Sequence, residues 1–205
     1  MKRAVFERCL GGASSSGFSL LELLFVVAII LIMATLYWRP NPANRDRALQ
    51  IACQKNLQKL FIAMELYAND YGGRLPKVAL PKNAADALDP LVPRYTAETA
   101  LFICPASADS PLPSGAALKT QKISYAYYMG RTLTNAQQVL VTDKQVDTLP
   151  KPVGRAVFSS DSKPPGNNHG KLGGNLLFCD GHVEQIPANT PIALDLDTNE
   201  VLLNP

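Results

Sequence analysis

The sequence predicts an α+β chain in which a long N-terminal helix packs on a small head built from an antiparallel sheet. Three observations predict it. They are an unbroken apolar run from Phe18 to Trp38, an apolar stripe at alternating spacings of four and three from Leu49 to Tyr71, and several short β-branched or aromatic runs ending in a hairpin signal at Asp180-Gly181. The 205 residues suffice for one ordinary domain plus an added segment, and 47% hydrophobic content with mixed charges places the chain in the globular class. The formal charge is +3, of which Lys2, Arg3 and Arg8 against Glu7 contribute +2. The remainder is close to neutral, so nucleic acid is not an expected partner.

The first element, Phe18 to Trp38, has 21 residues. At about 1.5 Å per residue it measures about 31 Å, which matches a hydrocarbon core of about 30 Å, so the lipid bilayer is an expected partner. A secretory signal carries a shorter apolar run followed by small residues, whereas here "GGASSSG" comes before the run. The positive charges at Lys2, Arg3 and Arg8 hold the tip in the cytoplasm and send everything beyond Trp38 outward, with Tyr37, Trp38 and Arg39 at the far interface. Glu22 is the anomaly. A carboxylate costs about 2.5 to 3.5 kcal/mol near the centre of a span and less near its end. Either Glu22 reaches toward headgroups, or a neighbouring positive group neutralises it when chains pack together.

The second element begins after a break or kink at "RPNPAN", where Asn44 is a candidate cap. Leu49, Cys53, Leu57, Leu60, Met64, Tyr67 and Tyr71 then mark one buried face of a helix lying against a sheet, until "YGGRLP" ends it. Prolines recur from Pro76 to Pro113, which predicts loop with a short helix at Ala84 to Leu88. "TALFICPAS" reads as strand-like. "ISYAYYMG", "QVLVTD" and "RAVFSSD" are further strands, and "NLLFCDGHVEQI" is a hairpin with a two-residue type I′ turn at Asp180-Gly181.

Two stretches in the N-terminal half of this sequence resemble known families. "GFSLLELLFVVAII" resembles the processing motif of type IV prepilins and type II secretion pseudopilins, and "CQKNLQKLFIAMELYANDYGGRLP" is similar to the helix of a large bacterial group of prepilin-like proteins. The resemblance implies a pilin-like fold and cleavage by prepilin peptidase between Gly17 and Phe18. It also implies methylation of the new Phe18 amine, and pairing of Glu22 with the N-terminal amine of another pilin or pseudopilin subunit. It divides the chain into a cytoplasmic leader (1–17), the membrane half of the helix (18–39), its exported amphipathic half (40–72) and the head (73–205). The implied role is structural, not enzymatic, in a bacterial inner-membrane protein that enters a filament. The alternative is a membrane-anchored exported domain that binds a ligand or metal and does not polymerise.

In the head, "NNHGKLGGNLLFCDGHVEQIP" resembles the H-X9-DG signature of prepilin-type processing-associated domains, with His169, Asp180, Gly181 and His182 at the motif positions. Ten residues, Gly170 to Cys179, separate His169 from Asp180 instead of nine, and Gly170, Gly173 and Gly174 can absorb the extra one. Hydrogen bonds among His169, Asp180 and backbone amides are the expected role, with the His182 side chain directed away from Asp180. A metal site from His169, Asp180, His182 and Asp161 is the rival reading. A hydrolase using His169 with Ser159 or Ser160 lacks a nucleophile elbow. No cofactor is expected, although resemblance to some pseudopilins implies structural calcium on positions with no match here. Asp195, Asp197 and Asn199 of "DLDTNE" lack the spacing of a calcium loop and read as a solvated turn.

The four cysteines, Cys9, Cys53, Cys104 and Cys179, contain no CxxC pair, and the exported side of a membrane permits disulfides. Cys53 and Cys104 fall in family-like boxes ("CQKNL" and "F-x-C-P"), and the resemblance makes them the first choice for a bridge. A Cys104 to Cys179 bridge is the rival, and a buried thiol the alternative state for Cys179.

Overall fold

This computed structural model describes residues 17–37, 41–119, 121–145, 157–158, 168–192 and 196–205. Readings on Lys2, Arg3, Glu7, Arg8, Cys9, Trp38, Arg39, Pro40, Ser159, Ser160, Asp161 and Asp195 lie outside the described residues. The chain divides into two compact units, Met1–Asn41 and Pro42–Pro205.

The first unit carries helix α1, Leu20–Tyr37, in which no residue is buried. Its side chains are apolar around the whole circumference, a pattern suited to lipid or to other helices rather than to one face of a globular core. Its 18 residues measure about 27 Å, and among the described residues it is the one helix long and apolar enough to cross a membrane.

The second unit opens with α2, Pro42–Asp70. Asn44, the expected cap, lies inside this helix, which starts instead at Pro42. Proline is tolerated there because its φ is already helical and its missing N–H would have had no intrahelical partner. The predicted stripe is buried at its centre, where Cys53, Leu57, Leu60 and Met64 are fully enclosed and Ala63 and Ala68 join them. Each large side chain contributes about 1.5 to 3 kcal/mol by leaving water. The stripe fails at its end, where Tyr71 is 44% exposed. The helix closes with the Gly73 N–H donating to the Ala68 carbonyl at 2.7 Å. Gly72 has φ +64°, as the left-handed position of such a cap requires.

Helix α3, Ala84–Leu88, stands where the sequence places it, capped by the Asn83 side chain accepting from the Asp86 N–H at 2.9 Å. "TALFICPAS" is not a strand. Thr99–Phe102 forms a 3-10 turn, with Leu101 N–H donating to Glu98 O and Ile103 N–H to Ala100 O. A run this short and continuously apolar carries no periodicity to separate the two conformations.

The sheet is antiparallel throughout, in the order β4-β3-β2-β1-β5, with β1 Tyr125–Met129, β2 Val139–Asp143, β3 Gly174–Phe178, β4 Val183–Ile186 and β5 Val201–Leu203. The α+β class with a pilin-like order of elements is therefore realised. β1 and β2 are buried on both faces. Tyr125, Tyr127 and Leu177 join the core with α2, whereas Tyr128 and Leu176 point to a second cluster around Val157, Phe158 and Ile186. That alternation is the period-two pattern of a strand. Of "RAVFSSD" only Val157 and Phe158 are described, and they form a bend.

Candidate functional site

At the N-terminal unit the chain presents an exposed junction followed at once by a helix. Phe18 is 72% exposed, and space around Gly17 is open. The Ser19 carbonyl accepts from the N–H groups of Glu22 at 2.9 Å and Leu23 at 3.1 Å, so Ser19 caps α1 and Glu22 occupies its third helical position. Ser and Glu at this spacing are a helix-start signature, and the positive end of the helix dipole favours a carboxylate there. Among the described residues Glu22 has no side-chain partner. Gly17, Phe18 and Glu22 thus lie together within one turn of the start of an otherwise apolar helix.

In the head, the end of β2 and the turn before β3 bring a buried polar cluster onto the bridge between α2 and the following loop. Cys53 and Cys104 form a disulfide with Cα atoms 5.2 Å apart, and Cys179 is a free, buried thiol. Burial pushes the Cys179 thiol up to about 11. The His169 Nε2 lies 3.4 Å from Cys104 Sγ and 3.2 Å from Asp143 Oδ2. Asp143 is fully buried. Its Oδ1 accepts from Asn168 Nδ2 at 2.8 Å, and its Oδ2 accepts from the Asn175 N–H at 2.7 Å and Asn175 Nδ2 at 2.9 Å. A buried carboxylate needs such donors, because desolvation without them costs several kcal/mol. Asn168 also donates to the Ser124 carbonyl at 2.8 Å, so this network ties β1, β2 and β3 together. Beside it opens a groove of about 510 Å³ whose walls include Asp46, Arg47, Asn168, His169 and Lys171.

The expected pairing of His169 with Asp180 does not occur. Asp180 accepts instead from the His182 N–H at 3.0 Å and lies 2.5 Å from His182 Nδ1, so the His182 side chain turns toward Asp180, not away. The backbone N–H and ring of His182 hold the Asp180 carboxyl below its usual range against a smaller opposing effect of desolvation. The type I′ turn is also corrected. Gly181 N–H donates to Phe178 O, and Phe178 N–H to His182 O, enclosing Cys179, Asp180 and Gly181. Only Gly181 takes positive φ, +88°, which makes a type I turn followed by a glycine bulge. A side chain there would meet the Phe61 ring at 2.6 Å, so close packing on α2 selects the glycine as well.

The rival metal set is dispersed accordingly, since His169 turns to Asp143 while Asp180 and His182 pair at the hairpin tip. In the candidate calcium turn, Asp197 N–H donates to Glu200 Oε2 and Glu200 N–H to Asp197 O. Glu200 itself is 3.0 Å from the buried Arg131 guanidinium, so the turn is anchored inward rather than solvated throughout. Sequence reasoning missed Asp143, Asn168 and Asn175, because their partners are distant in sequence. Asp143 carried one usable signal, an acid ending an apolar strand just before a polar loop.

Comparison with known families matches residues 12–37 to the prokaryotic N-terminal methylation motif. Neither a curated protein nor a solved structure matches the chain significantly. The matched segment contains the Gly17-Phe18 junction, Glu22 and all of α1. It supports a prepilin-like protein processed by a prepilin peptidase, and its apolar N-terminal helix fits a membrane anchor.

Proposed function

We propose that the chain is a structural subunit of a type IV pilus or a type II secretion pseudopilus, not an enzyme. Prepilin peptidase removes residues 1–17 on the cytoplasmic side of a bacterial inner membrane, and the amine of Phe18 is methylated. The mature helix is stored in the bilayer with the head exported, then extracted into the core of a filament. The observation that carries this reading is Glu22, a lone carboxylate at the third position of an otherwise apolar helix, four residues beyond the exposed Gly17-Phe18 junction. The N-terminal amine of a neighbouring subunit neutralises Glu22, and in low dielectric that pair is far stronger than at a surface. Correct register among subunits follows from the pairing, because a misplaced neighbour leaves the acid unpaired.

The test is Glu22→Ala. Cleavage and membrane insertion remain, since the substitution makes the span more apolar, whereas incorporation into filaments, read by shearing and immunoblot, falls sharply. Wild-type incorporation of Glu22→Ala contradicts the pairing role.

A further inference from the structure

We infer that the dithiol form of the head binds one zinc ion through Cys53 Sγ, Cys104 Sγ, His169 Nε2 and an Asp143 carboxylate oxygen. These four ligand atoms lie within 4.8 Å of one another. Zinc bonds of about 2.3 Å to sulfur and about 2.0 to 2.2 Å to nitrogen and oxygen give tetrahedral edges of about 3.3 to 3.8 Å. The His169 Nε2 to Asp143 Oδ2 separation of 3.2 Å and the His169 Nε2 to Cys104 Sγ separation of 3.4 Å fall at about that spacing. The two sulfurs, joined in the disulfide, are the pair that must separate, on Cα atoms 5.2 Å apart.

The surroundings are those of a metal site. Cys53, Cys104 and Asp143 are fully buried, and the His169 side chain is 1% exposed. Asn168 and Asn175 already orient the Asp143 carboxylate as outer-shell partners do. The Asn175 Oδ1 is buried without a hydrogen-bond partner, a polar atom left over in the disulfide form. The groove bordered by His169 supplies an approach, and Arg47 and Lys171 in its walls complement the negative charge of two thiolates, one carboxylate and one Zn²⁺. Two thiolates with an imidazole select zinc over magnesium or calcium.

The chemistry balances with a dithiol reductant. Thiol–disulfide exchange opens Cys53–Cys104 to two thiols and leaves the reductant as its own disulfide, and zinc binding then releases the two thiol protons. His169 binds as the neutral imidazole with its proton on Nδ1, so the Nε2 contact to Asp143 becomes a shared contact to the ion. The metal clamps the same elements that the disulfide staples, so the head has two alternative cross-links set by redox state.

The test uses the full chain in detergent, reduced with a phosphine under anaerobic conditions and titrated with Co²⁺ and then Zn²⁺. One Co²⁺ per chain with thiolate charge-transfer and tetrahedral d–d absorption is expected, displaced by one Zn²⁺, and none in the disulfide form. His169→Ala weakens binding by more than about 100-fold and Asn175→Ala by about 10-fold. Cys179→Ser and His182→Ala leave it unchanged. X-ray absorption of the zinc-loaded wild type, which needs no variant, gives two sulfur and two nitrogen or oxygen ligands. Absence of stoichiometric cobalt in the reduced chain, His169→Ala binding within twofold of wild type, or a sulfur count other than two overturns the assignment.

Discussion

Replacing both bridged cysteines, as Cys53→Ala with Cys104→Ala, isolates what the cross-link contributes to the head. The bridge closes a loop with a sequence separation of 51 residues. On a loop-entropy basis, releasing that constraint from the unfolded chain costs about 4 kcal/mol. Both cysteines are fully buried, so the alanines also leave two sulfur-sized gaps, worth about 1 kcal/mol together. For a unit of this size about 5 kcal/mol corresponds to a fall in Tm of about 10 to 20 °C. The assay is thermal unfolding of the full chain in detergent, followed by near-ultraviolet circular dichroism with a chelator present to keep metal out. Reduction of the wild type under the same conditions reproduces the loop term without the gaps, a loss of about 4 kcal/mol. A shift below about 3 °C for both the double variant and the reduced wild type would refute the reasoning, because it would mean the bridge does not restrain the unfolded chain.

Four further outcomes follow from the head. Burial raises the Asp109 carboxyl, but hydrogen bonds from Lys144 and Ser124 and the charges of Lys144 and Lys122 outweigh it and hold the group below its usual range. Because the folded value lies below the unfolded value of about 3.9, this stabilisation is fully present above about pH 5 and is lost as pH falls through the folded value. Lys144→Met, which leaves a carboxylate of 3% exposure with weaker partners, costs about 3 kcal/mol at neutral pH, and urea midpoints across pH 3 to 7 read both effects. Leu60→Ala, at a fully buried position on α2, costs about 2 to 5 kcal/mol by denaturant unfolding. Gly173→Ala places a Cβ 1.9 Å from the Ile186 carbonyl at φ +87°. It costs more than about 1 kcal/mol and speeds amide hydrogen exchange in β3 and β4 first.

The sequence was most legible where pattern and burial coincide. Cys53, Leu57, Leu60 and Met64 repeat at helical spacing and form the buried face of α2. The runs at Tyr125–Met129 and Val139–Asp143 are strands. Legibility failed where long-range partners decide. Thr142 and Asp143 read as the polar end of a strand, yet both are fully buried, because Asn168 and Asn175 satisfy the acid from a segment 25 to 32 residues away. β5, only three residues at Val201–Leu203, had no signal of its own and exists through pairing with β1. At the hairpin, Asp-Gly announced a turn but not its type, which the extra residue Cys179 and the contact of Gly181 with Phe61 determine. The N-terminal helix was legible from local composition alone, because its apolar run needs no distant partner within the chain.

The central claim is that the chain matures at the Gly17-Phe18 junction into a helix whose new terminus lies beside the Glu22 of a neighbour. Intact mass and N-terminal analysis of the protein from its native membrane tests it most directly. A mature chain beginning at N-methylated Phe18 is predicted, and a chain retaining Met1 and residues 1–17 contradicts the account.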